Sequence, residues 1–480
     1  MLDKSISIKK NFIYSMLYQI LALITPLITA PYVSRVLNAD TIGKYSYTQS
    51  IVMYFTLIAS LGSGIHGQRV IAGYRDSMFK LSKAFYELVI LHLILTLFAV
   101  VTYVLFMLVN KNDYWLYIAW IFNIIANAFD IIWFYQGLEN FKKTVTRQII
   151  IKLIGVVTIL IFVKNEDDLV IYILCHSIPT LIGNLFLWPG VHKYIEKVKV
   201  SELNIREHFK QTILLFIPYI ATLLFSYVDK TMLGAMCEST VENGYYEQAS
   251  RFISIAISVV TALSAVLVPR MTFFLKKDQK NYVEKYAKSG IQAISLLSFL
   301  LAGGLIVVGN NLIPWFYGDG YEKSIGLLII LALMLPFKAI SNFEGSALLI
   351  PAYKQNKYSI GIWTATILNI LVNAVLIPRW MAAGACVASV LSEIFLFFLL
   401  SYYTRDLLDI KMLISTIYKY IIAAVIMILI VGCISLNLKS SILNTIILTV
   451  FAIGCYGITL FILKDELICN YLKIVDKNRE

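Results

Sequence analysis

The chain has 480 residues, of which 59% are hydrophobic and only 15% charged, and its mean hydropathy is +0.76. No soluble domain of this length needs that much apolar surface, so a soluble enzyme and a nucleic-acid-binding module are excluded as classes. The formal net charge of +12 then needs another explanation, and the order of the segments supplies one.

A membrane-spanning helix takes about 20 mostly apolar residues to cross a hydrocarbon core of about 30 Å. Blocks of that kind recur about fourteen times, at 12–33, 42–64, 85–108, 114–137, 147–163, 169–189, 211–234, 245–268, 289–308, 325–350, 358–377, 382–401, 416–434 and 443–463. The fifth is short and opens on Arg147 and Lys152. The runs are too long, and too free of strict alternation, for a β-barrel. Helices satisfy their own backbone groups in lipid. The expected fold is therefore an all-α polytopic membrane protein of about 14 transmembrane helices.

Lysine and arginine favour cytoplasmic loops. The N-terminus carries Lys4, Lys9 and Lys10, and every second loop after it is basic. Examples are Arg69 to Lys83, Lys142 to Arg147, Lys193 to Lys210, Arg270 to Lys288, and Lys354 with Lys357. Arg405 and Lys411 follow, and the tail adds Lys464, Lys473, Lys477 and Arg479. The intervening loops hold little base: Lys111, Lys164, Lys323, Arg379 and Lys439. In all, 29 basic residues fall on one side and 7 on the other, with five inside spans. This pattern predicts an even number of spans, with both termini cytoplasmic. It also explains the charge through topology and anionic-lipid contact, without nucleic acid.

No cleavable signal peptide is expected, because the first apolar run exceeds a signal's apolar core. The six cysteines are scattered and lack metal-ligand spacing. There is no phosphate-binding glycine loop, no metal-binding motif and no catalytic triad. No cofactor, no enzyme activity and no ATP-driven pumping are expected.

Carriers are often built from repeats. Span 1 ends at Arg35 and the next span opens on Gly43, Lys44 and Tyr45; span 7 ends at Asp229 and Lys230 and the next opens on Gly244, Tyr245 and Tyr246. Asp130 precedes Lys142 and Lys143 as Glu344 precedes Lys354 and Lys357. The spacing implies two pseudo-symmetric six-helix lobes, 1–200 and 201–403, with two further helices and a cytoplasmic tail in 404–480.

Ionisable groups inside spans are costly and normally face a cavity or a partner. The substrate-binding candidates are Arg35, Lys230, Arg251 and Lys338. Arg251 lies about two turns into span 8, and its planar fork suits a diphosphate. Lys338 follows Pro336 in an apolar span, where a kink would open a cavity. Arg35 and Lys230 occupy matching positions near the outer interface, where snorkelling competes with function. Asp130, Asp229, Glu344 and Glu393 are candidates for a coupling ion, or for ion pairs with these bases. Pro26 and Pro31 in span 1 and Pro218 in span 7 suit bent first helices.

Several segments carry a family resemblance. Pro31 to Leu37 followed by Ile42 to Ser46, then Arg69 to Ala72 with Arg75 and Asp76, look like the opening of the polysaccharide flippases of the MOP superfamily. Trp133 to Glu139 is similar to a Wzx-type signature. Asn369, Asn373, Leu376 to Pro378, Gly384, Ala385, Ser392 and Glu393 resemble the end of the second lobe. The resemblance covers about residues 10–400. It implies a two-lobed, V-shaped carrier that flips undecaprenyl-diphosphate-linked oligosaccharide repeat units to the outer leaflet, for capsule, O-antigen or similar glycans, by alternating access. The implied partners are that lipid-linked glycan, membrane lipids, and the polysaccharide polymerase and chain-length machinery. Fourteen spans depart from the twelve drawn for many Wzx-type members and match lipid II flippases of the same superfamily.

The other readings are a lipid II flippase, a cation-coupled drug exporter of that superfamily, and a membrane-embedded glycan polymerase or ligase. An exporter of cations would favour an acid-dominated cavity, whereas four bases stand against four acids here. A polymerase would favour a large outer loop, and no outer loop exceeds about 16 residues.

Overall fold

A computed structural model describes residues 8–110, 112–277, 279–408 and 410–469. Lys4, Lys111, Lys473, Lys477 and Arg479 lie outside the described residues, as do the side chains of Lys9, Lys10, Lys411 and Pro218.

Among the described residues every regular element is helical. The order is α1 (Ile8–Val36), α2 (Ala39–Ser60), α3 (Ser63–Gly73), α4 (Met78–Val109), α5 (Tyr114–Ala128), α6 (Ile132–Gly137), α7 (Phe141–Phe162), α8 (Leu169–Leu185) and α9 (Ile205–Met236). Then come α10 (Val241–Lys276), α11 (Lys280–Tyr317), α12 (Lys323–Ala332), α13 (Leu335–Phe343), α14 (Gln355–Trp380), α15 (Ala382–Thr404), α16 (Ile410–Leu436) and α17 (Ile442–Ile462). Twelve helices, some built from two consecutive pieces, are long and apolar enough to cross a membrane. The remaining two expected spans fall on α1 and α9, of 29 and 32 residues. At about 1.5 Å per residue both exceed a bilayer core in length, although only Leu21–Val36 of α1 qualifies, as a shorter apolar helix. The protein is thus an all-α, multi-pass membrane protein.

Polar side chains set the helix starts. Asn38 accepts from Thr41 N, Asn140 from Lys143 N and Ser441 from Asn444 N, which satisfies backbone donors that a first turn leaves open. Interruptions divide several spans. Asp130 sits in the break between α5 and α6, and its Oδ1 accepts from Ile132 N at 2.9 Å. Leu333 and Met334 switch to i−3 hydrogen bonds between α12 and α13, just before Pro336. A π-helical turn, Glu344–Leu349, continues α13.

By internal contacts the chain divides into two compact units, Met1–Tyr227 and Val228–Glu480, with the division inside α9. A core of the first contains Ile71, Phe85, Leu88, Trp133, Phe134, Tyr135 and Leu187. One in the second packs α16 and α17 on α11 through Val307, Tyr420, Met427, Leu448 and Tyr456. Met381, in the left-handed region at φ 51°, alone separates α14 from α15. The two helices meet closely there, since a Cβ on Gly384 would lie 2.4 Å from the Leu376 carbonyl oxygen.

Candidate functional site

The second unit gathers most of the charged span residues, in four separate groups. The first is a shared ion pair. Helix α9 presents Lys230 and α10 presents Glu247 and Arg251. Lys230 Nζ lies 2.6 Å from Glu247 Oε2, and Arg251 Nε lies 3.3 Å from Glu247 Oε1. The three side chains are only 14%, 9% and 18% exposed. Two bases therefore share one acid. Tyr317 donates from its hydroxyl to the Gln248 carbonyl at 3.0 Å and ties α11 to this stretch of α10.

Asp229, next to Lys230, points elsewhere, as a rotation of about 100° per residue requires. Its Oδ2 accepts from Tyr246 OH at 2.7 Å and from Ser389 Oγ; its Oδ1 accepts from Asn373 Nδ2 at 2.6 Å and Asn369 Nδ2 at 3.1 Å. All four donors are neutral, and Asp229 is 4% exposed. Asn373 Oδ1, beside the carboxylate, is buried without a hydrogen-bond partner. Neutral donors within the second unit thus satisfy this buried carboxylate.

Lys338 on α13 reaches Glu393 on α15 at 2.6 Å. Glu393 is almost wholly buried, whereas the Lys338 side chain is 32% exposed. Glu344, fully buried in the π-helical turn, takes hydroxyls from Ser401 and Thr404 on Oε1, while its Oε2 is buried without a partner.

The first unit treats its candidates differently. Asp130 accepts from Ile132 N in the break before α6, as above. Arg35 is exposed in the last turn of α1, where a base favours the negative end of the helix dipole.

Two acids inside the expected spans escape a reading centred on isolated charges. Glu247 is a partner of Arg251, and it is none of the four acids that the sequence offered for such pairs. The four-residue step from Glu247 to Arg251 is the signal that finds it. Glu87 on α4 is the other. Its Oε2 meets His208 Nε2 at 2.9 Å, His208 Nδ1 meets His66 Nε2 at 2.8 Å, and Asn204 N donates to Oε1. Nothing in the spacing of Glu87, His66 and His208 announces that chain, because it joins three different helices.

The comparisons agree with this architecture. A family model described as "Polysaccharide biosynthesis protein" matches residues 8–275. A protein of Escherichia coli (strain K12) named "Putative O-antigen transporter" is 23% identical over 407 residues, 84% of this chain and 97% of that protein. The structure titled "Lipid II flippase MurJ, inward closed conformation" superposes with a TM-score of 0.75 at 16% identity, covering 95% of this chain and 99% of that one. An inward-facing multidrug resistance MATE family transporter of the MOP superfamily gives a TM-score of 0.65 at 13% identity, over 82% and 96% of the two chains. These two likenesses concern the fold. With more than half of its length matched by that family model, the chain belongs to the polysaccharide biosynthesis protein family.

Proposed function

We propose that the protein is a flippase that carries undecaprenyl-diphosphate-linked oligosaccharide repeat units from the inner to the outer leaflet, by alternating access, for a surface polysaccharide such as capsule or O-antigen. The observation that carries this reading is the Lys230–Glu247–Arg251 group. Two bases around one acid, held inside a polytopic helical protein, suit an anionic headgroup. In this reading Glu247 holds both bases while the headgroup is absent. The diphosphate then engages the Arg251 fork and the Lys230 point charge. Lys338 serves the same headgroup from α13. The same excess of base disfavours the drug-exporter alternative, whose cationic cargo would meet like charge.

Free energy enters as a gradient. Asp229 is the coupling residue in this proposal, with a monovalent cation as co-substrate. Glu344, Glu393 and Asp130 hold structure around the path. The alternation of basic and base-poor loops supports both termini on the cytoplasmic side of a bacterial plasma membrane.

Deletion of the gene tests the function. Lipid-linked repeat units should accumulate inside while surface polysaccharide disappears. Normal display of those units outside would remove the proposal.

A further inference from the structure

A groove of about 780 Å³ runs along the outside of the first unit between α7 and α8. Its α7 wall holds one row at four-residue spacing, Lys142, Thr146, Ile150, Ile154, Thr158 and Phe162, beside a shorter one, Lys143, Arg147 and Ile151. Residues four apart lie on one face of a helix. The α8 wall repeats the spacing through Cys175 and Pro179, and through Ile178, Ile182 and Phe186. The floor is tight, since a Cβ on Gly183 would collide with the Ile151 side chain. The two rows therefore stand as walls above a closed base.

One end of this apolar groove is basic. Lys142, Lys143 and Arg147 all line it. Neutral oxygens hold the Lys143 ammonium: the Tyr135 hydroxyl, the Leu187 carbonyl at 3.2 Å and the Pro189 carbonyl at 3.0 Å. Arg147 donates to the Asn184 side chain and the Thr180 carbonyl. The N-terminus of the 22-residue helix α7 opens at the same end and adds its own partial positive charge.

We infer that this groove binds the prenyl chain of the lipid-linked substrate, with its diphosphate at Lys142, Lys143 and Arg147. The charge end selects an anionic lipid. The length selects the chain. The lining on α7 runs from Asn140 to Phe162, roughly 33 Å at 1.5 Å per residue, which is about the whole hydrocarbon thickness. An acyl chain fills one leaflet only, whereas a long polyprenyl chain continues past the midplane. The groove is separate from the Lys230–Glu247–Arg251 group, which lies in the other unit. It gives the substrate a loading position on the basic-loop side. This inference rests on the flippase reading for the identity of the lipid.

The full-length protein, with a benzophenone amino acid at Ile154 or at lipid-facing Leu97 on α4 as control, is reconstituted with undecaprenyl diphosphate or with phosphatidylglycerol and irradiated. The prenyl diphosphate should label the Ile154 site at least fivefold more than the Leu97 site. Phosphatidylglycerol should label both alike. The double variant Lys142→Gln, Lys143→Gln should abolish the preference. Because Lys143 also braces Tyr135, a second variant fills the groove from its lipid-facing walls, Ile150→Trp with Ile178→Trp, and is assayed for translocation of a labelled lipid-linked glycan. It should lose at least tenfold in rate. Equal labelling of both sites, or preferential labelling by phosphatidylglycerol, overturns the inference. So does unchanged translocation in the filled variant, which would leave the flippase reading standing. Absence of translocation by the wild-type protein would instead strike the flippase reading itself.

Discussion

The Glu247 carboxylate stands 2.6 Å from the Lys230 ammonium, and this contact joins α9 to α10 where each enters the apolar region. The same carboxylate holds Arg251 one turn further along α10. An acid shared in this way can release either base to an incoming anion without stranding itself.

Replacement of Arg251 by Gln should cut export of the surface polysaccharide by at least tenfold while membrane insertion stays intact. Arg251→Lys should recover only part of it, since an ammonium lacks the planar fork. Exchange of the pair, Glu247→Arg with Arg251→Glu, keeps the ion pair and should not restore export. Wild-type export by Arg251→Gln would remove this residue from the headgroup site.

Asp229 should report cations directly. A thermal-unfolding series of the purified protein should rise in midpoint when sodium replaces choline at fixed ionic strength. Asp229→Asn should flatten that series. An identical sodium response in both proteins would detach Asp229 from coupling, whatever happens to transport.

Lys338 and Glu393 should behave as one unit. Removing the base alone, as Lys338→Met, leaves a buried carboxylate unpaired and should destabilise by about 3 kcal/mol. The double variant Lys338→Met with Glu393→Leu should recover most of that stability. Transport should stay impaired in the double variant, because Lys338 also serves the headgroup. Melting temperatures and export, measured on the same three proteins, check both statements.

Beyond α17 the Glu466 carboxyl accepts from the Gln292 amide at 3.2 Å and lies 3.4 Å from Lys288. The amide and then the ammonium hold its pKa below the ordinary glutamate value. A depressed carboxylate stabilises the fold above its unfolded pKa and loses that contribution as pH falls through the lower folded value. The side chain is largely exposed, so the effect is small and screened by salt. Glu466→Gln should melt slightly lower than wild type at pH 7 in dilute buffer. The two curves should converge in acid or in molar salt.

Hydropathy located the membrane better than it located the helices. Span 5, read as a short block from residue 147, is α7, which begins at Phe141 under the Asn140 cap. Lys142 and Lys143 had masked its first turn. Helices α10 and α11 run 36 and 38 residues, well beyond the apolar windows at 245–268 and 289–308. Backbone hydrogen bonds and caps end a helix, whereas lipid ends only its apolar part. The candidate bases were legible because a charge in an apolar run is conspicuous. Their partners were not. Glu393 meets Lys338 across 55 positions of sequence, and the donors around Asp229 are uncharged side chains of kinds common in such helices. Even Glu247, four residues from Arg251, needed helical geometry to connect the two.

The single-residue joint at Met381 has a mechanical consequence. Three of the four donors around Asp229 sit on the hairpin it makes: Asn369 and Asn373 on α14, Ser389 on α15. With Gly384 wedged against Leu376, neither arm can slip along the other. A movement of this hairpin as a body would therefore carry those three donors away from the carboxylate together.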